Sequence, residues 1–88
     1  MNVHLNKRHQ RTLEAIFSTR TSATLQWRRI ESLFIALGAT KKEGRGSSVT
    51  FKLKGEPVTF HRPHPRKEAS KYQVRDARDF LKRVGITP

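Results

Sequence analysis

The chain has 88 residues, with 19 lysines and arginines against 7 aspartates and glutamates, a formal charge of +12, and no cysteine. This length and an apolar content of 34% suit one small core in one domain. They exclude a bilayer span, which needs about 20 consecutive apolar residues, a disulfide scaffold and a thiolate metal site. The charge excess favours a polyanionic partner through long-range attraction and counterion release. Eleven of the nineteen cations are arginines, whose planar forks suit bidentate contacts to phosphate or carboxylate.

In chain order, "KRHQRTLEAIF" (7–17) reads as a helix in which Leu13, Ile16 and Phe17 share a face. Its basic residues are not followed by an apolar run of the kind a secretory signal carries, and with the lack of cysteine this fits a cytoplasmic protein. The half "KRHQR" is free to reach a polyanion, while the apolar half extends the core. His4 and His9 carry no specific signal there. "STRTSAT" (18–24) is a polar linker, so residues 1–24 form a helix and linker ahead of a core at 25–88. A second helix is expected over about 25–37, with Trp27, Ile30, Phe34 and Leu37 on one face and Gly38 as its left-handed cap.

A strand-rich middle follows. Residues 39–43 form a first short strand, and "GRGSS" (44–48) a turn. Val49, Phe51 and Leu53 then alternate with Ser48, Thr50, Lys52 and Lys54, and Val58 and Phe60 alternate with Thr59 and His61. Taking Gly55-Glu56 as the two loop residues sets Leu53 against Val58, Phe51 against Phe60, Lys52 against Thr59 and Thr50 against His61. The last helix opens on Ser70-Lys71-Tyr72-Gln73, a capping box. Val74, Ala77, Leu81 and Val84 form its seam, and Gly85 ends it. The order helix, helix, three strands, helix predicts an α+β domain of two layers, since only one sheet face is apolar. The other face, with Ser48, Thr50, Lys52, Thr59 and His61, is left for solvent or a partner.

Candidate chemistry gathers around that face. Residues 41–67 carry Lys41, Lys42, Arg45, Lys52, Lys54, Arg62, Arg66 and Lys67 against only Glu43 and Glu56. These cations, with the amides of 44–48, suit phosphates; lysines that protect an edge strand from aggregation give the same pattern. In "FHRPHP" (60–65), Pro63 and Pro65 prevent the helical convergence of His61 and His64 on one ion, and the arginines repel a cation, so no metal or other cofactor is expected. Imidazole serves as a general acid or base near neutral pH, phosphates beside arginines are where RNA cleavage through its own 2′-hydroxyl needs one, and His61 is the candidate on the open face. A strand histidine with no role fits His61 equally. His64, between prolines, suits packing or capping.

Four segments, "WRRIESLFIALGA" (27–39), "GSSVTF" (46–51), "HRPHP" (61–65) and "YQVRDARDFLKRVGI" (72–86), together resemble the HicA toxins of bacterial toxin–antitoxin modules. The resemblance implies a fold similar to the double-stranded RNA-binding domain, a three-stranded antiparallel sheet packed on helices, here with an extra N-terminal helix. It implies a metal-independent mRNA interferase that acts on RNA and is neutralised by a HicB-like antitoxin. The family's pattern Gly-Ser-His carries its catalytic histidine in the second strand, and the matching positions here are Gly46, Ser47 and Ser48. Serine does not shuttle protons near neutral pH as imidazole does. Three readings follow: an inactive form, a form that uses His61 beside Ser48, or a module that binds RNA or antitoxin without cleaving. In the second, Lys41, Lys42, Arg45, Lys52, Lys54, Arg62 and Arg66 hold the RNA.

Overall fold

The computed structural model describes residues 5–88, and His4 lies outside them. Its elements are α1 (Lys7–Phe17), α2 (Trp27–Ala36), β1 (Thr40–Glu43), β2 (Ser48–Leu53), β3 (Glu56–His61) and α3 (Lys71–Arg83). The strands form one antiparallel sheet in the order β1-β2-β3, so the α+β architecture and the element order follow the expectation. Among the described residues, no helix is long and apolar enough to cross a membrane.

The core lies on one face of the sheet because the strands alternate. Val49, Phe51, Leu53 and Phe60 are buried, while Lys52, Thr59 and His61 are exposed. Phe34 of α2 is the centre: its ring sits 5.1 Å from Phe51, 6.2 Å from Phe60 and 5.3 Å from Phe80. Helix α2, β2, β3 and α3 therefore meet on one buried side chain, with rings tilted or edge-on as their quadrupoles prefer. Ile30, Leu33, Val74, Ala77 and Leu81 fill the space around it. Helix α1 adds Leu13 and Ile16 to the same core. No basic residue stands in its own last turn, and Arg78 of α3 supplies one from outside, donating to the carbonyls of Ile16 (2.7 Å) and Ser18 (3.1 Å).

The caps follow local chemistry. Gly38, at φ +101°, closes α2 as Ala39 N–H bonds to Phe34 O and Gly38 N–H to Ile35 O. At α3, the Ser70–Gln73 capping box is complete on both sides.

The hairpin register differs from the expectation by two residues. Its loop is Lys54-Gly55, not Gly55-Glu56, and the observed partners are Leu53 with Glu56, Phe51 with Val58, Val49 with Phe60, Thr50 with Thr59 and Ser48 with His61. Lys54 (φ +52°) and Gly55 (φ +81°) are both left-handed, the type I′ geometry whose twist matches that of paired strands. A Gly55-Glu56 loop would leave glutamate at the second such position, where glycine is favoured. A shift of two keeps every side chain on its face, which is why the alternation alone did not exclude either register. Pro57 then falls opposite Lys52 on an edge strand, where a missing N–H is tolerated.

One polar network ties the sheet's exit to α2. Trp27 Nε1 donates to Glu31 Oε1 (2.6 Å), and Arg62 Nε donates to the same oxygen (2.5 Å). The Arg62 fork also grips Glu43, Nη1 to Oε1 at 2.6 Å and Nη2 to Oε2 at 2.9 Å. Arg62 hydrogen bonds hold the Glu43 carboxyl below its ordinary 4.5, and the two glutamates push the Arg62 guanidinium further up. The chain segment beyond is pinned as well: Trp27 N–H bonds to Lys67 O and Ala69 N–H to Leu25 O.

Two outcomes are expected. Gly55→Ala lowers stability by about 1–2 kcal/mol in urea unfolding, the cost of placing an L-residue in the left-handed region, since no atom lies within 4 Å of the added Cβ. Because Glu43 is depressed in the folded state, its contribution is present above the ordinary carboxylate value and lost as pH falls through the folded one. Melting temperature against pH is therefore flatter below about pH 4.5 for Glu43→Gln than for the parent.

Candidate nucleic-acid interface

Arg62 N–H donates to Ser47 O (2.9 Å), which makes 47/62 a hydrogen-bonded pair of the ladder. By alternation Ser48 and His61 form a non-hydrogen-bonded pair, the kind that brings side chains nearest, with Cβ atoms roughly 4.5–5.5 Å apart. The next such pair on this face is Thr50/Thr59, whose hydroxyls are 2.7 Å apart. Ser48 and His61 are thus direct cross-strand neighbours.

Two further contacts fix this pair. Gly44 N–H bonds to Ser48 O, and a Cβ on Gly44 would lie 3.0 Å from Ser48 Oγ, so the loop packs closely against the Ser48 side chain where residue 44 has none. Gln73 Nε2 donates to His61 O at 2.6 Å. The capping-box glutamine therefore also moors the end of β3 to α3, a role its sequence pattern does not announce.

The expected phosphate-binding cations separate into groups. Lys42 and Lys52 pair with Thr50 and Thr40 across the β1–β2 ladder and share the open face with His61; both are exposed. Arg45 stands exposed in the loop beside them, its carbonyl accepting from Ser48 N–H. None of these three is in an ion pair among the described residues. Lys41 belongs elsewhere: it pairs with Phe51, lies on the helix side, and its Nζ is 4.0 Å from Glu31 and 3.9 Å from Glu43. Arg62 is committed to the same two glutamates. Lys54, at the hairpin tip, donates to Val84 O at the end of α3 (3.2 Å). Arg66 sits 3.8 Å from Glu68 and lines a separate concavity of about 360 Å³ with Trp27, Arg28, His64 and Lys67.

The expectation of one patch thus gives way to a smaller open-face set: Lys42, Arg45, Lys52, Ser48 and His61. The reason is tertiary. Glu31, distant in sequence, faces Lys41 and Arg62 across the helix–sheet boundary. The bonds of Arg62 to Glu31 and Glu43 and of Gln73 to the His61 carbonyl leave no signal in the sequence, because the partners lie 12 to 31 positions apart. Among the described residues no three His, Asp or Glu side chains come together as metal ligands.

The face and its adjoining loop offer an exposed imidazole, a neighbouring hydroxyl and three cations without an ion pair among the described residues. Cations, a hydroxyl and an imidazole are the group types that phosphate contact and proton transfer use. Comparison with curated proteins returns no match, and comparison with solved structures returns none. A family model described as the HicA toxin of bacterial toxin–antitoxin matches residues 27–86, from the start of α2 to the end of the seam behind α3. With more than half of the chain matched, the protein belongs to the HicA toxin family.

Proposed function

We propose that the open sheet face binds the backbone of mRNA and cleaves it without metal, as a toxin of the cytoplasm silenced by a HicB-like antitoxin. The observation that carries the reading is the adjacency of His61 and Ser48, flanked by Lys42, Arg45 and Lys52, which have no carboxylate partners among the described residues. In the proposed step the RNA 2′-hydroxyl attacks the adjacent phosphorus while the bond to the 5′-oxygen breaks. The imidazole of His61 takes the 2′ proton, and a proton reaches the departing 5′-oxygen from the resulting imidazolium or from water. The three cations stabilise the charge that builds on the phosphoryl oxygens. Ser48 hydrogen-bonds and positions; its hydroxyl is too weak an acid and base to serve in imidazole's place near neutral pH. A HicB-like partner with acidic character would cover this face by charge complementarity.

A second reading rests on Ser48 itself. The position where the family resemblance implies a catalytic histidine holds a hydroxyl, and a face that keeps its cations without that imidazole serves as an RNA- or antitoxin-binding module.

Incubation of purified protein with mRNA in the presence of a chelator separates the two. The expected result is cleavage that falls by about 10²-fold or more in His61→Ala while RNA binding is retained. Undiminished cleavage by His61→Ala removes His61 from the mechanism, and salt-sensitive binding of RNA that stays intact establishes the binding module. Ser48→His, which sets a second imidazole directly across from the first, is expected to raise the cleavage rate above that of the parent.

A further inference from the structure

We propose that the protein has a second nucleic-acid contact, a trough between α1 and α2 that grips phosphates with Arg8, Arg11, Arg28 and Arg29. The inference rests on the RNA-binding reading for the identity of the ligand, but on different residues. The trough is a concavity of about 500 Å³ completed by Thr24 and Gln26. It contains four guanidinium-bearing residues and no carboxylate. Among the described residues none of the four is in an ion pair, although seven acidic residues exist in the chain. Arg8 and Arg11, three apart on α1, share a face.

Two local features are unfavourable here, and an anion offsets both. Helix α2 begins with Arg28 and Arg29 in its first turn, has no acidic residue there, and its Gln26 cap makes no side-chain hydrogen bond. Cations at that end oppose the helix dipole. Arg29 Nε is also buried with no hydrogen-bond partner among the described residues, a cost to the fold that an anion held by the outer guanidinium nitrogens offsets. Rules broken together at one place mark a functional surface.

The lining favours a nucleic acid over a protein. Protein interfaces centre on apolar or aromatic residues with charges depleted, whereas this trough has neither apolar floor nor aromatic anchor. Nucleic-acid interfaces are polar and strongly cationic. The trough is also connected: Gln26 and Arg28 line the adjoining concavity with His64, Arg66 and Lys67, in the segment that leaves β3 after His61. The trough thus adjoins the segment that follows β3 and extends the cationic surface to α1, the helix that lies outside the span matched by the family model.

The test is a fluorescence anisotropy titration of full-length protein with a labelled, non-cleavable 2′-O-methyl oligoribonucleotide between about 50 and about 200 mM salt. Arg8, Arg11 and Arg28 are exposed. The triple variant Arg8→Gln, Arg11→Gln, Arg28→Gln is expected to fold, to melt no lower than the parent, and to bind on the order of tenfold more weakly. Its slope of log affinity against log salt is expected to be shallower by about 2, from three contacts of about 0.7 each. Parent affinity and slope in the triple variant, alongside weakening in Lys42→Gln with Lys52→Gln, overturns the trough and leaves the sheet reading intact. Absence of binding by the parent protein overturns the RNA reading and the trough with it. Loss of binding to a polyglutamate peptide in the triple variant, with RNA affinity unchanged, assigns the trough to an acidic protein partner and also overturns the proposal. If the triple variant does not fold, Arg28→Gln alone carries the same slope test, at about 0.7.

Discussion

Two consecutive left-handed residues, Lys54 and Gly55, set the geometry on which the rest of the molecule depends. Their type I′ turn closes a two-residue loop, and closing it there fixes every partner along β2 and β3. Phe51 and Phe60 fall on one face, where Phe34 can touch both. On the other face the same register brings Ser48 directly opposite His61. Moved by two residues, the core would survive with altered neighbours, but the imidazole would stand across from Thr50. The candidate chemistry is therefore a consequence of a turn at the far end of the hairpin.

The surrounding contacts divide into those that build the platform and those that remain available to a ligand. Glu31 is the hinge between them. It accepts from Trp27 and Arg62 and lies near Lys41, so a half-buried carboxylate organises the indole, the exit of β3 and the edge of β1 at once. Arg62 is better described as a positioning residue than as a phosphate ligand, because its fork is already filled by Glu31 and Glu43. Lys54 similarly serves the end of α3. Among the described residues without an ion pair are Lys42 and Lys52 on the sheet, Arg45 in the loop beside them, and the arginines between α1 and α2. Cationic character without a neighbouring carboxylate is what the two surfaces share among the described residues.

Much of this was legible in the residues. Alternation in 48–60 located the core face and the open face, and Ser70 with Gln73 located the start of α3, because both patterns depend on neighbours within a few positions. Gly38 ended α2 for the same reason. The Trp27–Ile86 segments that resemble the HicA family lie within the span that the family model matches. What was not legible came from pairs far apart in sequence: Arg62 with Glu31 and Glu43, Lys41 with Glu31, Gln73 with the carbonyl of His61, Arg78 with the end of α1. Counting charges treated all eight cations of 41–67 as alike, since composition does not say which carboxylate a folded chain will bring near.

By itself the sequence determined the α+β class, the order of elements, the apolar face of each and the basic character of the whole, because these follow from local periodicity and formal charge. It also determined that serine stands at position 48. Only the tertiary structure decided which two-residue loop closes the hairpin, that His61 faces Ser48, which cations are neutralised, and that four arginines from two helices line one trough. The physical reason is that side-chain periodicity in a strand repeats every two residues and is blind to a shift of two, while an ion pair depends on distance through space and not along the chain.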